Sequence, residues 1–368
     1  MPYKIAVSVT NDLNQDQRMH RICNSLTSAG YEVMLIGRKK RFSQELLHHK
    51  FNQKRIKCWF GSGMLFYFEY NIRLFLFLIM YKADIIYSVD LDTLTSGGMV
   101  AILTKKKLIY DAHEYFVEVP ELENSNFKKW IWNIVAKCFI PKSDLNITVN
   151  KELAEVLKKK YKHDFAVIRS VPLLVKSEKL RSTNKEKVIL YQGVLNKGRG
   201  LEEAIKWISN KKEKIQLRIV GEGDLSESLR ELKAKIDKND KVKFLGWKTP
   251  KELDEITKSA WLGLNLLDGK SLNYKYSLAN KFFNYMHAGV PSLNMDFPVY
   301  KRYCKDENVG ICIPDLGEGT IDKAINSILK DDTKYQEMAL AAQVARTKHS
   351  WQLEEVKLID IIKKMMEA

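Results

Sequence analysis

Apolar positions in the first half of the chain fall into short runs of strand length, separated by longer stretches in which they recur at helical spacing. Strands are predicted over residues 4–10, 32–36, 85–88, 108–110 and 145–149, and helices over 16–29 and 63–81. This βα alternation predicts a parallel sheet with helices on both faces. Between 172 and 187 the pattern breaks into charged and polar residues and reads as a linker. The alternation then restarts, with strands predicted over 188–191, 216–220, 242–245, 262–266 and 292–295, and a closing amphipathic helix over 351–366. Two doubly wound α/β domains follow, 1–171 and 188–350, with the carboxyl ends of their sheets facing a central cleft. The longest apolar run, 64–81, holds Glu69, Asn71 and Arg73 near its middle, which argues for a helix of the fold over a membrane span.

A length of 368 residues suits two domains with a core each. The formal net charge of +16 is unusual and points to an anionic partner: nucleic acid, anionic lipid or a phosphorylated small molecule. The cations are spread over both halves, and no helix-turn-helix, zinc or RNP-type pattern occurs, so nucleic acid is not the expected partner. Five cysteines without a CxxC pair predict a reduced, cytoplasmic setting and no zinc site. The start of the chain passes directly into strand pattern, so no signal peptide is expected. The loop after the first strand, Asn11-Asp12-Leu13-Asn14, lacks GxGxxG, which argues against a dinucleotide-dependent dehydrogenase.

The segment from Tyr276 to Pro291 reads as a helix with Ser277 as N-cap, Leu278, Phe282 and Met286 as core stripe, and Gly289 before Val290-Pro291 as stop. Lys281 and Asn284 mark its other face. Free N–H groups at Leu278, Ala279 and Asn280, the helix dipole and a lysine one turn in favour bound phosphate, although an ordinary buried helix needs the same cap and stripe. The second half opens on Tyr191-Gln-Gly-Val-Leu-Asn-Lys-Gly-Arg-Gly-Leu-Glu202, a strand and a glycine-punctuated turn in which Arg199 could fork onto phosphate oxygens. Gly221-Glu222-Gly223 ends another strand, either as a ligand contact or as a tight turn.

In this order the motifs resemble the GT-B glycosyltransferases, specifically the retaining family 4 type. The resemblance rests on Gly193 followed by Arg199-Gly200, on Gly221-Glu-Gly223, on Phe244-Leu-Gly246, and on Asn280-Lys281 leading to Ala288-Gly-Val-Pro291. In the first half it rests on Asn11-Asp-Leu with Asp16-Gln-Arg18, Asp90-Leu-Asp92, and Asp111-Ala-His-Glu114. It implies two Rossmann-like domains, with a C-terminal helix, 351–368, crossing back to the first. It also implies sugar transfer from a nucleotide diphosphate sugar, UDP favoured and GDP open, to a glycan or lipid-linked acceptor in polysaccharide or glycoconjugate synthesis, without a metal. On this resemblance Arg199 and Lys281 neutralise the diphosphate, Gly193, Gly221, Glu222 and Asn280 line the donor, and Gly246-Trp247 approach the base. Tyr276 and Ser277 lie near phosphate and sugar, and His113 reaches the transferred sugar; read apart from the family, His113 is a core or capping histidine. The family's paired glutamates are replaced by Tyr276 and Asn284, and its arginine after the first glycine by Val194. That leaves a non-catalytic or regulatory protein with a degenerate donor site, or a nucleotide-sugar epimerase, as alternatives.

Between Arg38 and Lys57 stand eight basic residues and one acid, Glu45, followed by Trp59-Phe60 and the aromatic-rich run to Tyr81. Basic beside apolar predicts peripheral attachment to the anionic inner leaflet; a solvated basic loop beside a buried helix is the other reading.

Overall fold

The computed structural model describes residues 2–175 and 187–367; segment 176–186 of the expected linker lies outside them. The chain divides into one unit of Met1–Ser170 with Leu353–Ala368 and a second of Val171–Gln352.

The first unit runs β1 (Lys4–Ser8), α1 (Gln17–Ser28), β2 (Glu32–Lys39), β3 (Asn52–Lys57), α2 (Gly63–Tyr81), β4 (Ile85–Val89), α3 (Asp90–Thr104), β5 (Lys107–Ala112), α4 (Asn126–Phe139), β6 (Leu145–Thr148), α5 (Lys151–Tyr161) and β7 (Ala166–Val167). Its seven strands are all parallel in the order β3-β2-β1-β4-β5-β6-β7. Ile85 to Val89 are buried along their whole length, as befits a parallel strand covered by helices on both faces. The apolar run 64–81 is the helix α2, seated by Phe66, Tyr70, Leu74 and Leu78, with the Tyr70 hydroxyl donating to Val9 O. Part of the expected basic loop is instead the edge strand β3. Its Arg55 turns inward to pair with Asp12 at 2.7 Å, while Lys54 and Lys57 stay outside, where charge discourages further strand addition.

The second unit runs β8 (Lys187–Gln192), α6 (Leu201–Ser209), β9 (Ile215–Val220), α7 (Ser226–Ile236), β10 (Val242–Gly246), α8 (Pro250–Ser259), β11 (Leu262–Asn265), α9 (Leu272–Tyr276), α10 (Asn280–His287), β12 (Ser292–Met295), α11 (Pro298–Glu307), β13 (Gly310–Ile313), α12 (Glu318–Leu329) and α13 (Asp332–Lys348). Six parallel strands take the order β10-β9-β8-β11-β12-β13. The direction of winding reverses between β1 and β4 in one sheet and between β8 and β11 in the other, and ligands of such sheets gather beyond the strand ends at that reversal.

The closing helix, α14 (Trp351–Glu367), belongs from Leu353 onward to the first unit. Glu354 fixes it there: its buried carboxylate accepts from Arg169 N at 2.9 Å and from the Arg169 guanidinium at 2.6 and 2.9 Å. This is the doubly wound α/β architecture expected from the sequence.

Candidate functional site

The reversal point of the second sheet gathers most of its chemistry within reach of one tyrosine. Tyr191, at the end of β8, is buried, and its ring carries Lys281 Nζ 3.7 Å from the centroid. Gly193 follows with φ +135°, and a Cβ there would lie 3.5 Å from Lys281 Nζ, so the turn brings backbone close to the ammonium. Arg199, on the same turn, lays its guanidinium 4.8 Å over the ring of Tyr274, whose hydroxyl donates to Lys197 O.

What holds α10 is its aromatic side. Tyr285 OH reaches the carbonyls of Leu190 and Leu264 at 3.0 and 3.2 Å, tying the helix to both strands at the reversal. Phe282 and Phe283 pack against Tyr303, and Phe282 also against Tyr300. Lys281 is thereby carried inward and buried, not left on an exposed face.

Among the described residues its Nζ has no hydrogen-bond partner, and neither has Arg199 Nε or Gln192 Nε2. Burial pushes the Lys281 ammonium well below its ordinary pKa, and the charge of Arg199 pushes the same way. Two cations that destabilise one another favour an anion with several oxygens between them.

Ser277 does not cap this helix. It closes α9 in an extended conformation, its hydroxyl donating to Tyr274 O at 2.9 Å, and α10 starts only at Asn280. The physical reason is Tyr300, whose hydroxyl accepts from Ala279 N at 3.0 Å and holds that residue out of the helix. The N–H of Ala279 is therefore not free for an anion. Asn280 is exposed, and Tyr276 and Asn284 are half-buried.

The glycines of the second motif answer to packing. A Cβ on Gly221, at φ +129°, would sit 2.0 Å from Gly193 O, so its lack of a side chain serves the approach of one strand-end loop to another. Glu222 is committed to Arg230, with Nη2 at 2.6 Å. Trp247 follows Gly246 with its ring largely in solvent.

His113 belongs to the first unit, beyond β5. Its Nε2 lies 2.9 Å from Arg18 Nε and 3.1 Å from Asp111 Oδ2. Arginine only donates, so Nε2 accepts from Arg18 when the ring proton is on Nδ1 and donates to Asp111 when it is on Nε2. Arg18 Nη2 also donates to both Asp111 oxygens, at 3.0 and 3.1 Å, and the Tyr87 hydroxyl donates to Asp111 at 2.8 Å. Burial would raise Asp111, but the Arg18 charge together with the His113 and Tyr87 contacts outweighs it and holds the carboxyl well below the usual range. Nearby, burial pushes Asp92 up to about 7, and Thr10 donates to it. Sequence reasoning did not single out Tyr191 and Gln192, which end β8, or Tyr274, which lies in the short helix α9.

The family model for glycosyltransferase family 4 matches residues 15–179, and that for glycosyl transferases group 1 matches 175–344. No curated protein matches the chain. Among solved structures, sucrose-phosphate synthase from Thermosynechococcus elongatus superposes with a TM-score of 0.81 at 15% identity, over 99% of each chain. Anabaena HepE in complex with UDP-glucose gives 0.78 at 13%, over 98% of this chain and 99% of that one. WaaG, a glycosyltransferase involved in lipopolysaccharide biosynthesis, gives 0.74 at 14%, over 98% and 99%. At these identities the likenesses speak to the fold.

Proposed function

Since the chain belongs to the GT-B glycosyltransferases, with one family model on each half, we propose that it moves a sugar from a nucleoside diphosphate sugar to a glycan or lipid-linked acceptor, with retained anomeric configuration. The observation that carries this reading is the buried, unpartnered ammonium of Lys281 beside Arg199. As the bond from the sugar's anomeric carbon to the phosphate oxygen breaks, negative charge grows on the diphosphate, and both cations stabilise it more strongly than in the ground state. The acceptor oxygen bonds to the anomeric carbon on the face from which the phosphate left, and the departing phosphate oxygen takes the acceptor's proton. UDP is the favoured nucleotide, in keeping with the UDP-glucose bound by HepE. Two protein cations give the charge stabilisation that a divalent ion gives elsewhere, so chelation should leave turnover unchanged.

The test is thermal denaturation with UDP, GDP, ADP and dTDP in turn, since a ligand that binds only the folded state raises the melting temperature. UDP should give the largest rise, and Arg199→Ala should remove it. A variant that responds like the parent overturns the diphosphate assignment, and a product with inverted anomeric configuration overturns retention.

A further inference from the structure

Three neighbouring helices of the first unit turn apolar side chains to solvent, where a surface helix ordinarily shows polar ones. On α2 the outward stripe is Leu65, Phe68, Ile72, Leu76 and Met80, spaced by three or four residues and each 47% to 72% exposed. The opposite side of the same helix, Phe66, Tyr70, Leu74 and Leu78, fills the core. Burial of the fold therefore accounts for one face of α2 and leaves the other unexplained. α3 packs against α2 and extends the surface with Ile102 and Leu103; α4 packs against α3 and adds Phe127, Trp130 and Ile134.

Exposed charge on the three helices themselves has one sign, while the acids Glu121, Glu123 and Asp144 stand exposed in the loops before and after α4. None of the three helices carries an exposed acid: Glu69 and Asp92 are buried, Asp90 is half-buried, and α4 contains none. Lys82, Lys105, Lys137 and Lys142 stand exposed at or just beyond the carboxyl ends of α2, α3 and α4. At the other end of α2 lies the run from Arg38 to Lys57.

The aromatic loop between β3 and α2 is also built in. Glu69 accepts from Trp59 N at 2.9 Å and Phe60 N at 3.0 Å and from Arg73 Nε at 2.8 Å, and the Arg73 guanidinium lies 4.7 Å from the Trp59 ring centroid. A buried carboxylate thus fixes an indole that is itself 84% exposed. A side chain ordered before contact loses little freedom on docking.

We propose that the outer face of α2, α3 and α4, with Trp59 at its margin, docks on an anionic lipid bilayer. The apolar stripe enters the boundary between headgroups and acyl chains, and the lysines and arginines at its borders meet the lipid phosphates. A second copy of the chain fits less well, because it would set basic border against basic border in a protein of net charge +16. The inference concerns the first unit alone and stands apart from the sugar-transfer reading.

The test is flotation of the full chain with vesicles of phosphatidylcholine alone and of phosphatidylcholine mixed with phosphatidylglycerol. Binding is expected to the mixed vesicles, weakening with salt, and Phe68→Asp/Leu76→Asp should reduce it by at least about tenfold. Trp130→Ser, on a different helix, should reduce it less, which keeps the test open if the double variant fails to fold. Leu340→Asp, an exposed apolar residue of the second unit, should leave it unchanged. Absence of binding to either vesicle, or binding that ignores Phe68→Asp/Leu76→Asp and Trp130→Ser, overturns the proposal. So does sedimentation showing a dimer that these substitutions dissociate while vesicle binding persists.

Discussion

Both units carry charge beyond the carboxyl ends of their parallel strands, but they treat it differently. In the first, Arg18, Asp111, His113 and Tyr87 bond one another, and the Arg18 guanidinium also donates to Ile168 O at 2.8 Å. In the second, Lys281 and Arg199 repel one another, and the lysine ammonium rests on the face of Tyr191 without a hydrogen-bond partner among the described residues. A partnered cluster repays its desolvation within the folded chain, whereas an unpartnered one costs stability until something outside the chain arrives. The contrast separates a frame from a binding site without reference to any relative.

The harshest trial of that distinction is Arg18→Met. It leaves the Asp111 carboxylate buried without its cation, a loss of about 3–5 kcal/mol for a broken buried pair. Urea denaturation measures it; a loss below about 1 kcal/mol would mean the network is not the frame described. Adding Asp111→Asn should restore part of the loss, because the orphaned charge goes with it.

Lys281→Met should act in the opposite direction. Without nucleotide it removes a buried, uncompensated ammonium, and a gain of about 1 kcal/mol is expected. With nucleotide at a hundredfold excess over its dissociation constant, the parent gains about 2.7 kcal/mol and the variant little of it. The same lysine sets a pH dependence. Its pKa in the free folded protein is depressed below the ordinary 10.5, so across the window between the two the folded chain holds fewer protons than the unfolded one. Stability from this group therefore rises with pH through that window. A bound diphosphate draws the pKa back up, so binding should take up protons. Calorimetry of UDP binding in two buffers of different ionisation enthalpy reads that uptake, and Lys281→Met should abolish it.

The sequence made the alternation of strands and helices legible because buried parallel strands read as apolar runs and their helices as stripes. It concealed β3 because Lys54, Arg55 and Lys57 look like loop residues, whereas at the sheet edge Lys54 and Lys57 keep their charge outside and Arg55 pairs inward with Asp12. β13, an edge strand that opens on glycine, did not stand out, although β11 and β12 of the same length did. Lys281 and Arg199 were visible as residues, but the burial of Lys281 depends on Tyr191, ninety positions earlier, and no local pattern reports such a contact. The true start of α10 depends likewise on the Tyr300 hydroxyl. Gly221 was legible as a required glycine, though the backbone that it admits is that of Gly193.

Asp92 is where the first unit departs from its own rule, and its replacement is the last trial. Burial lifts its carboxyl from 3.8 to about 7, with the charge of Glu114 adding to the rise and the Thr10 hydroxyl opposing it. Between those values the folded chain binds a proton that the unfolded chain has lost, so this group's contribution to stability falls as pH rises from about 4 to about 7 and stays low above that. Asn at this position still accepts from Thr10 through its carbonyl oxygen, yet carries no charge to desolvate. Asp92→Asn should therefore be close to the parent in stability at pH 4 and more stable than it at pH 8. A gain at pH 8 would show that the first unit also keeps a group at the expense of its stability, as the second keeps Lys281. Equal stability at both pH values would instead place Asp92 with Asp111, among groups whose partners offset their burial.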